Sequence, residues 1–184
     1  MQPDYQEFSN YLTENARRSL AHAGTIARGL GDAYIGTEHL LLGLMAQDGS
    51  LGGKILEDAG VTLKKAQVAL KLTPKNIVIN MGAKGYSETA KLTLRMAYDI
   101  AQDYGQDFCG TEHILYSLLS QKNSRASVLL RDMNINTDSV LRELENFLNR
   151  QFDDADRESV EPGGRRTSRK PNRGGKSYLD QFGT

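Results

Sequence analysis

The sequence predicts an all-α fold: two pseudo-symmetric four-helix repeats packed into one domain, followed by a flexible linker. Three observations lead there. The tetrapeptide Gly-Thr-Glu-His stands at Gly36–His39 and again at Gly110–His113, 74 residues later. Sliding the chain by that offset aligns about 18 identical pairs across Thr13–Leu70 without a gap, the mark of an internal duplication. Within each half, apolar residues recur at three- and four-residue steps, the period of a helix with one buried face. The unit is too large for a solenoid repeat, so two half-domains packed on each other are expected.

The elements follow in order. Residues 1–12 read as an N-terminal arm. Repeat 1 covers 13–72. Thr13 is a good N-cap and Glu14 suits the first turn of a helix. Ala16, Leu20, Ala23, Ala27 and Leu30 make one face, and Gly31 ends the helix by tolerating a left-handed turn. Thr37 is expected to cap the second helix, which carries Leu40, Leu41 and Leu44. Asp48-Gly49-Ser50 is a turn, and a short helix with Ile55 and Leu56 runs to Gly60. Thr62 caps a fourth helix through about Leu72. Residues 73–86 link the repeats and include the β-branched run Lys75–Asn80, too isolated to imply a sheet. Repeat 2, 87–150, follows the same plan, with Ser87, Thr111, Ser124 and Asn136 at the cap positions.

The composition narrows the function classes. Lys plus Arg and Asp plus Glu number 23 each, which gives no electrostatic reason to expect nucleic acid or a membrane surface as partner. A single cysteine forbids an internal disulfide and suits a reducing compartment. The N-terminus lacks the basic and apolar regions of a signal peptide, and no apolar run approaches the roughly 20 residues that span a bilayer. A cytoplasmic location is the reading.

The composition changes at about Gln151. An acidic block opening with Asp153-Asp154 gives way to a basic one, Arg165-Arg166 through Lys176, laced with Gly, Pro and Ser. Residues 151–177 read as a disordered linker rather than a nucleic-acid-binding tail, since the charges balance and no aromatics are interleaved. Gly175-Lys176-Ser177 imitates the end of a nucleotide-binding loop, but Lys170 stands where that motif needs a glycine and no apolar strand precedes it. Apolar residues return at 178–184, which suggests the start of a further module.

Two copies of an apolar-Gly-Thr-Glu-His-apolar-Leu segment, Ile35–Leu41 and Cys109–Leu115, each in a half beginning Thr/Ser-Glu-x-Ala, resemble the N-terminal Clp repeat domain of ClpC-type Clp ATPase unfoldases. Leu179–Thr184 resembles the opening of the first AAA+ module in that family. The resemblance implies a substrate- and adaptor-recognition domain, without catalytic residues, tethered to a hexameric ATPase that delivers proteins to a ClpP-type peptidase. It implies no cofactor in this part of the chain, with ATP and magnesium used by the AAA+ modules, and a fragment that is itself monomeric. It also implies recognition of phosphorylated arginine, at two equivalent sites.

Such a ligand needs a carboxylate for its guanidinium group and hydroxyls or helix N-termini for its phosphate. Glu38 and Glu112 supply the carboxylates. Thr13 and Ser87, at the corresponding family positions, supply the hydroxyls, Ser87 standing where Thr is more usual. Each has a plainer use: a Glu in a first turn complements the helix dipole, and a Thr or Ser before a helix is a cap. His39 and His113 belong to no metal motif and are expected to hydrogen-bond the adjoining loop from a partly buried position. Cys109 aligns with Ile35 and reads as a small buried hydrophobe. Catalytic and metal-binding residues are assigned to none. Two other classes compete: a stand-alone regulatory protein that sequesters marked clients or adaptors, and an enzyme, which the shortage of clustered nucleophiles, bases and metal ligands disfavours.

Overall fold

A computed structural model of the protein describes residues 8–71 and 85–158. Among the described residues the regular elements are helical: a 3-10 turn at Ser9–Tyr11, then α1 (Glu14–Gly29), α2 (Thr37–Ala46), α3 (Leu51–Asp58), α4 (Leu63–Lys71), α5 (Glu88–Asp103), α6 (Thr111–Ser120), α7 (Arg125–Asp132) and α8 (Thr137–Glu158). The β-branched run at 75–80 and the tail beyond Glu158 lie outside the described residues.

Three of the four repeated caps form as the sequence predicts. Thr13 Oγ1 and Ser87 Oγ accept from the N–H groups of Ala16 and Ala90 at 3.2 and 3.1 Å. Ser50 and Ser124 do the same for Gly53 and Ser127, and Thr62 and Asn136 for Lys65 and Ser139. Each bond satisfies an N–H that the helix itself leaves without a partner. At the other end of α1, Gly31 takes φ +73°, and Gly105 repeats it after α5 at φ +69°. Where Gly60 closes α3 at φ +93°, the second half uses Asn134 at φ 60°, the non-glycine residue best suited to that conformation.

The second cap pair differs from the expectation. Gly36 and Gly110, not Thr37 and Thr111, are the N-caps of α2 and α6. Their side-chain role is filled by a histidine one turn on: His39 Nδ1 accepts from the Gly36 N–H, and His113 Nδ1 from the Gly110 N–H, each at 2.9 Å. The threonine hydroxyls are spent elsewhere. Thr37 Oγ1 accepts from the Ala126 N–H at the start of α7 (3.2 Å), and Thr111 Oγ1 from the Gly52 N–H at the start of α3 (3.0 Å). Each half thus caps a helix of the other.

The same exchange occurs in the backbone. Isolated parallel bridges join Leu12 to Cys109 and Ile35 to Tyr86. The Thr13 N–H donates to the Cys109 carbonyl and the Ser87 N–H to the Ile35 carbonyl, both at 2.9 Å. The chain entering the first helix of one half therefore runs beside the chain entering the second helix of the other.

The helices α2 and α6 form the centre. Leu40, Leu41, Leu42 and Leu44, with Ile114, Leu115 and Leu118, are buried in one core that draws on both halves. A helix apolar on nearly every side is a buried helix. Gly43 lets α2 lie against the α1 backbone, since a Cβ there would come within 2.2 Å of the Ser19 carbonyl oxygen. At the matching place Ser117 donates its hydroxyl to the Thr93 carbonyl at 2.7 Å.

Two boundaries differ from the sequence reading. Within the expected arm 1–12, Phe8 and Leu12 are buried, and the rings of Phe8 and Tyr11 meet Tyr98 edge-on, so these residues belong to the core. At the other end α8 passes Gln151 and continues to Glu158. Leu141, Leu144, Leu148 and Phe152 keep the helical spacing, and the Phe152 ring packs over Gly105.

Candidate ligand-binding crevices

The crosswise entry of the chain decides which predicted site residues meet. Ser87 starts α5 beside Ile35, three residues before Glu38, and both Ser87 and Glu38 line an open cleft of about 900 Å³. Thr13 starts α1 beside Cys109, three residues before Glu112. The Glu38 cleft thus takes its carboxylate from one half and its hydroxyl from the other, and the backbone bond at Cys109 brings Thr13 toward Glu112 in the same crosswise way, a pairing the sequence did not specify.

Glu38 sits in the first turn of α2 with its side chain 7% exposed. Its Oε1 lies 3.6 Å from Nη1 of Arg125, whose own side chain is 83% exposed. Its Oε2 is buried and meets no hydrogen-bond donor among the described residues. A carboxylate taken out of water without a full set of donors is costly, and such a group in a cleft points to a ligand. Gly36 makes the arrangement possible: a Cβ there would lie 2.6 Å from Glu38 Oε2. Gly110 does the same for Glu112, at 2.5 Å.

Glu112 has more company. Burial pushes its carboxyl above the ordinary carboxylate range, opposed by hydrogen bonds from its own N–H and from the Thr111 hydroxyl. The histidines differ as well. His39 Nε2 donates to Asp32 Oδ2 at 2.7 Å, whereas His113 Nε2 is buried with no partner among the described residues. Both rings are buried, more deeply than the expected partly buried position, and both accept from the loop N–H through Nδ1. Burial, then the charge of Glu112, pushes the Cys109 thiol far above its usual value, as suits a packed hydrophobe.

Sequence reasoning missed further residues of the Glu38 cleft: Lys122 and Asn123, in the loop leading to α7, and Arg125, its first residue. They lack counterparts in the first half, so a search for repeated features passes over them. It also missed Tyr34 and Leu92 at the cleft, the first 52% and the second 38% exposed. Among the described residues no group of His, Cys, Asp and Glu is placed to hold a metal ion, and no helix is long and apolar enough to cross a membrane.

Two interlocked helical halves, with an open cleft at the junction that holds Glu38 and Ser87, define a duplicated, all-helical domain. The Clp repeat N-terminal domain model matches residues 11–84 and 85–169, and the chain belongs to that family. It is 36% identical over 125 residues to the ATP-binding subunit ClpC of the ATP-dependent Clp protease of Staphylococcus saprophyticus, covering 68% of this chain and 15% of that protein. ClpC of Staphylococcus aureus is 34% identical over the same length. The chain spans about 15% of the length of these curated relatives. In three dimensions it is similar to the N-terminal domain of the chaperone ClpD from Arabidopsis thaliana (TM-score 0.64, 23% identity, 76% of this chain and 96% of that one). The N-domain of ClpV from Vibrio cholerae gives a TM-score of 0.65 at 14% identity over 81% of this chain and 92% of that one. A ClpV N-domain solved in complex with a VipB peptide gives 0.64 at 15% identity, over 81% and 94%.

Proposed function

We propose that this domain recognises adaptors and client proteins for a Clp ATPase, and that arginine-phosphorylated segments are its ligand class. Glu38 with Ser87, and Glu112 with Thr13, are the ligand-facing pairs. The observation that carries the reading is the Glu38 carboxylate, buried at the edge of a cleft with one oxygen lacking a donor. A guanidinium group supplies what that oxygen lacks. The Ser87 hydroxyl, which already accepts from Ala90, keeps its proton to donate to a phosphoryl oxygen. Tyr34 and Leu92 offer apolar contact to the rest of a client segment. The VipB peptide seen on a ClpV N-domain supports the view that this fold takes peptides.

In the whole protein, ATP and magnesium act in AAA+ modules beyond this chain, a hexameric ring carries the domain, and a ClpP-type peptidase receives the clients, in the cytoplasm. Binding of an arginine-phosphorylated protein, measured by calorimetry, tests the site. Loss of binding in the Glu38→Ala, Glu112→Ala double variant is expected; unaltered binding in that variant refutes the assignment.

A further inference from the structure

The Glu38 cleft and the corresponding positions near Glu112 share a carboxylate and a hydroxyl but differ in charge. Lys122 and Arg125 line the Glu38 cleft. Shifted by the repeat offset of 74, those positions become Asp48 and Leu51. The segment that follows Asp48 is bonded to Thr111, next to Glu112, as the segment that follows Lys122 is bonded to Thr37, next to Glu38. The bond from the Gly52 N–H to Thr111 Oγ1 (3.0 Å) matches that from the Ala126 N–H to Thr37 Oγ1 (3.2 Å). Asn15, in the first turn of α1, fastens that loop further: its Nδ2 donates to the Gly49 carbonyl and its Oδ1 accepts from Gln47, both at 3.3 Å. Two more substitutions add to the contrast. Ala33, beside the Glu38 cleft, becomes Asp107, and Leu92 becomes Arg18. Arg18 is held by Glu14 at 2.6 Å.

At the Glu38 cleft the carboxylates of Asp32 and Glu38 are therefore balanced by Lys122 and Arg125. At the positions that correspond by the repeat offset, the charged residues among those described are the carboxylates of Asp48, Asp107 and Glu112 and the guanidinium of Arg18, which is paired with Glu14. A phosphorylated guanidinium is a cationic plane with a dianionic group attached to it. Its site must offer a carboxylate and, a few ångströms away, positive charge. Glu38 with Lys122 and Arg125 meets both needs. Around Glu112 the phosphoryl group would face carboxylates, and like charges brought together disfavour binding.

We infer that the domain holds one phosphorylated guanidinium, not two: Lys122 and Arg125 form the phosphate seat of the Glu38–Ser87 cleft, and the Glu112–Thr13 crevice turns the phosphoryl group away. The inference rests on the function proposed above and narrows it. Arg125, 3.6 Å from Glu38 Oε1, is placed to let the carboxylate serve the incoming guanidinium while its own charge serves the phosphate.

Calorimetry of the full chain with free phosphoarginine, arginine and inorganic phosphate tests it. The expected result is one phosphoarginine per chain, bound more tightly than either component. Glu38→Gln removes that site entirely. Exchanging the seat for its counterpart, Lys122→Asp with Arg125→Leu, weakens binding by about tenfold or more. The reverse exchange, Asp48→Lys with Leu51→Arg, raises the stoichiometry toward two. Thermal melts establish that each variant is folded. Two equal sites in the unaltered protein, or one site surviving Glu38→Gln, overturn the inference and leave the proposed function standing. Inorganic phosphate bound as tightly as phosphoarginine overturns the guanidinium assignment. Absence of any phosphoarginine binding overturns both.

Discussion

Thr37 and Ala126, 89 residues apart, are joined by a buried hydrogen bond in which the threonine hydroxyl accepts the N–H at the second position of α7. Thr111 and Gly52 repeat the bond in the opposite sense. Replacing Thr37 by Val keeps the shape and leaves that N–H without a partner. The expected cost is about 1–3 kcal/mol, since a buried donor loses its acceptor. At about 2–4 °C of Tm per kcal/mol for a chain of this size, a melting curve resolves it. A Thr37→Val protein that melts with the unaltered one would show that the bond is not needed.

Gly36→Ala separates folding from binding. The backbone there is extended, at φ −93° and ψ 179°, so alanine meets no conformational penalty. Its Cβ would collide with the Glu38 carboxylate, the free end of a flexible side chain. The carboxylate moves and the fold stays: the Tm changes little, and affinity for a phosphoarginine-bearing protein falls several-fold. Unchanged affinity would detach Glu38 from the ligand.

His113 makes the domain sensitive to acid. Burial brings it down to about 4 from an ordinary value of 6.5. Between those two values the unfolded chain binds the proton and the folded one does not. The contribution of His113 to stability is expected to be full above about 6.5 and to be lost as pH falls toward 4, by on the order of 3 kcal/mol. Gln106 stands where the first half has Asp32, the partner of His39. Gln106→Asp is expected to raise the His113 value, read by NMR titration, and to shrink the acid loss. If neither moves, the missing partner is not the cause.

Tyr34 lies at the rim of the Glu38 cleft with about half its surface exposed. Tyr34→Ala is expected to weaken a phosphorylated peptide by several-fold and to leave free phosphoarginine unaffected. Equal losses for both would place the ring on the phosphoarginine itself rather than on the flanking chain.

The duplication, and with it the helix order and most caps, was legible because those features are local and occur twice. A hydroxyl before a helix caps it wherever the helix goes, as Thr13 and Ser50 do. Thr37 was misread for the same reason: its local context suits a cap, while its partner is 89 residues away. The end of α8 was obscured by Asp153 and Asp154, which lie on a helix whose apolar side Phe152 continues. The candidate carboxylates are nominated by the repeat together with the family resemblance, whereas Lys122 and Arg125 occur once and so carry no such signal. Nothing in the spacing announced that hydroxyl and carboxylate come from opposite halves, since that follows from the backbone bridges at Cys109 and Ile35.

Those bridges bear on descent as well. A polypeptide holding one half alone would own a carboxylate and a hydroxyl at opposite ends of an incomplete groove. Two identical copies meeting about a two-fold axis would complete both grooves at once, as isologous partners do. The chain has the form of such a dimer made continuous. In a true homodimer any mutation appears in both grooves together; fusion removes that constraint, so that Arg125 and Leu51 can differ within one molecule.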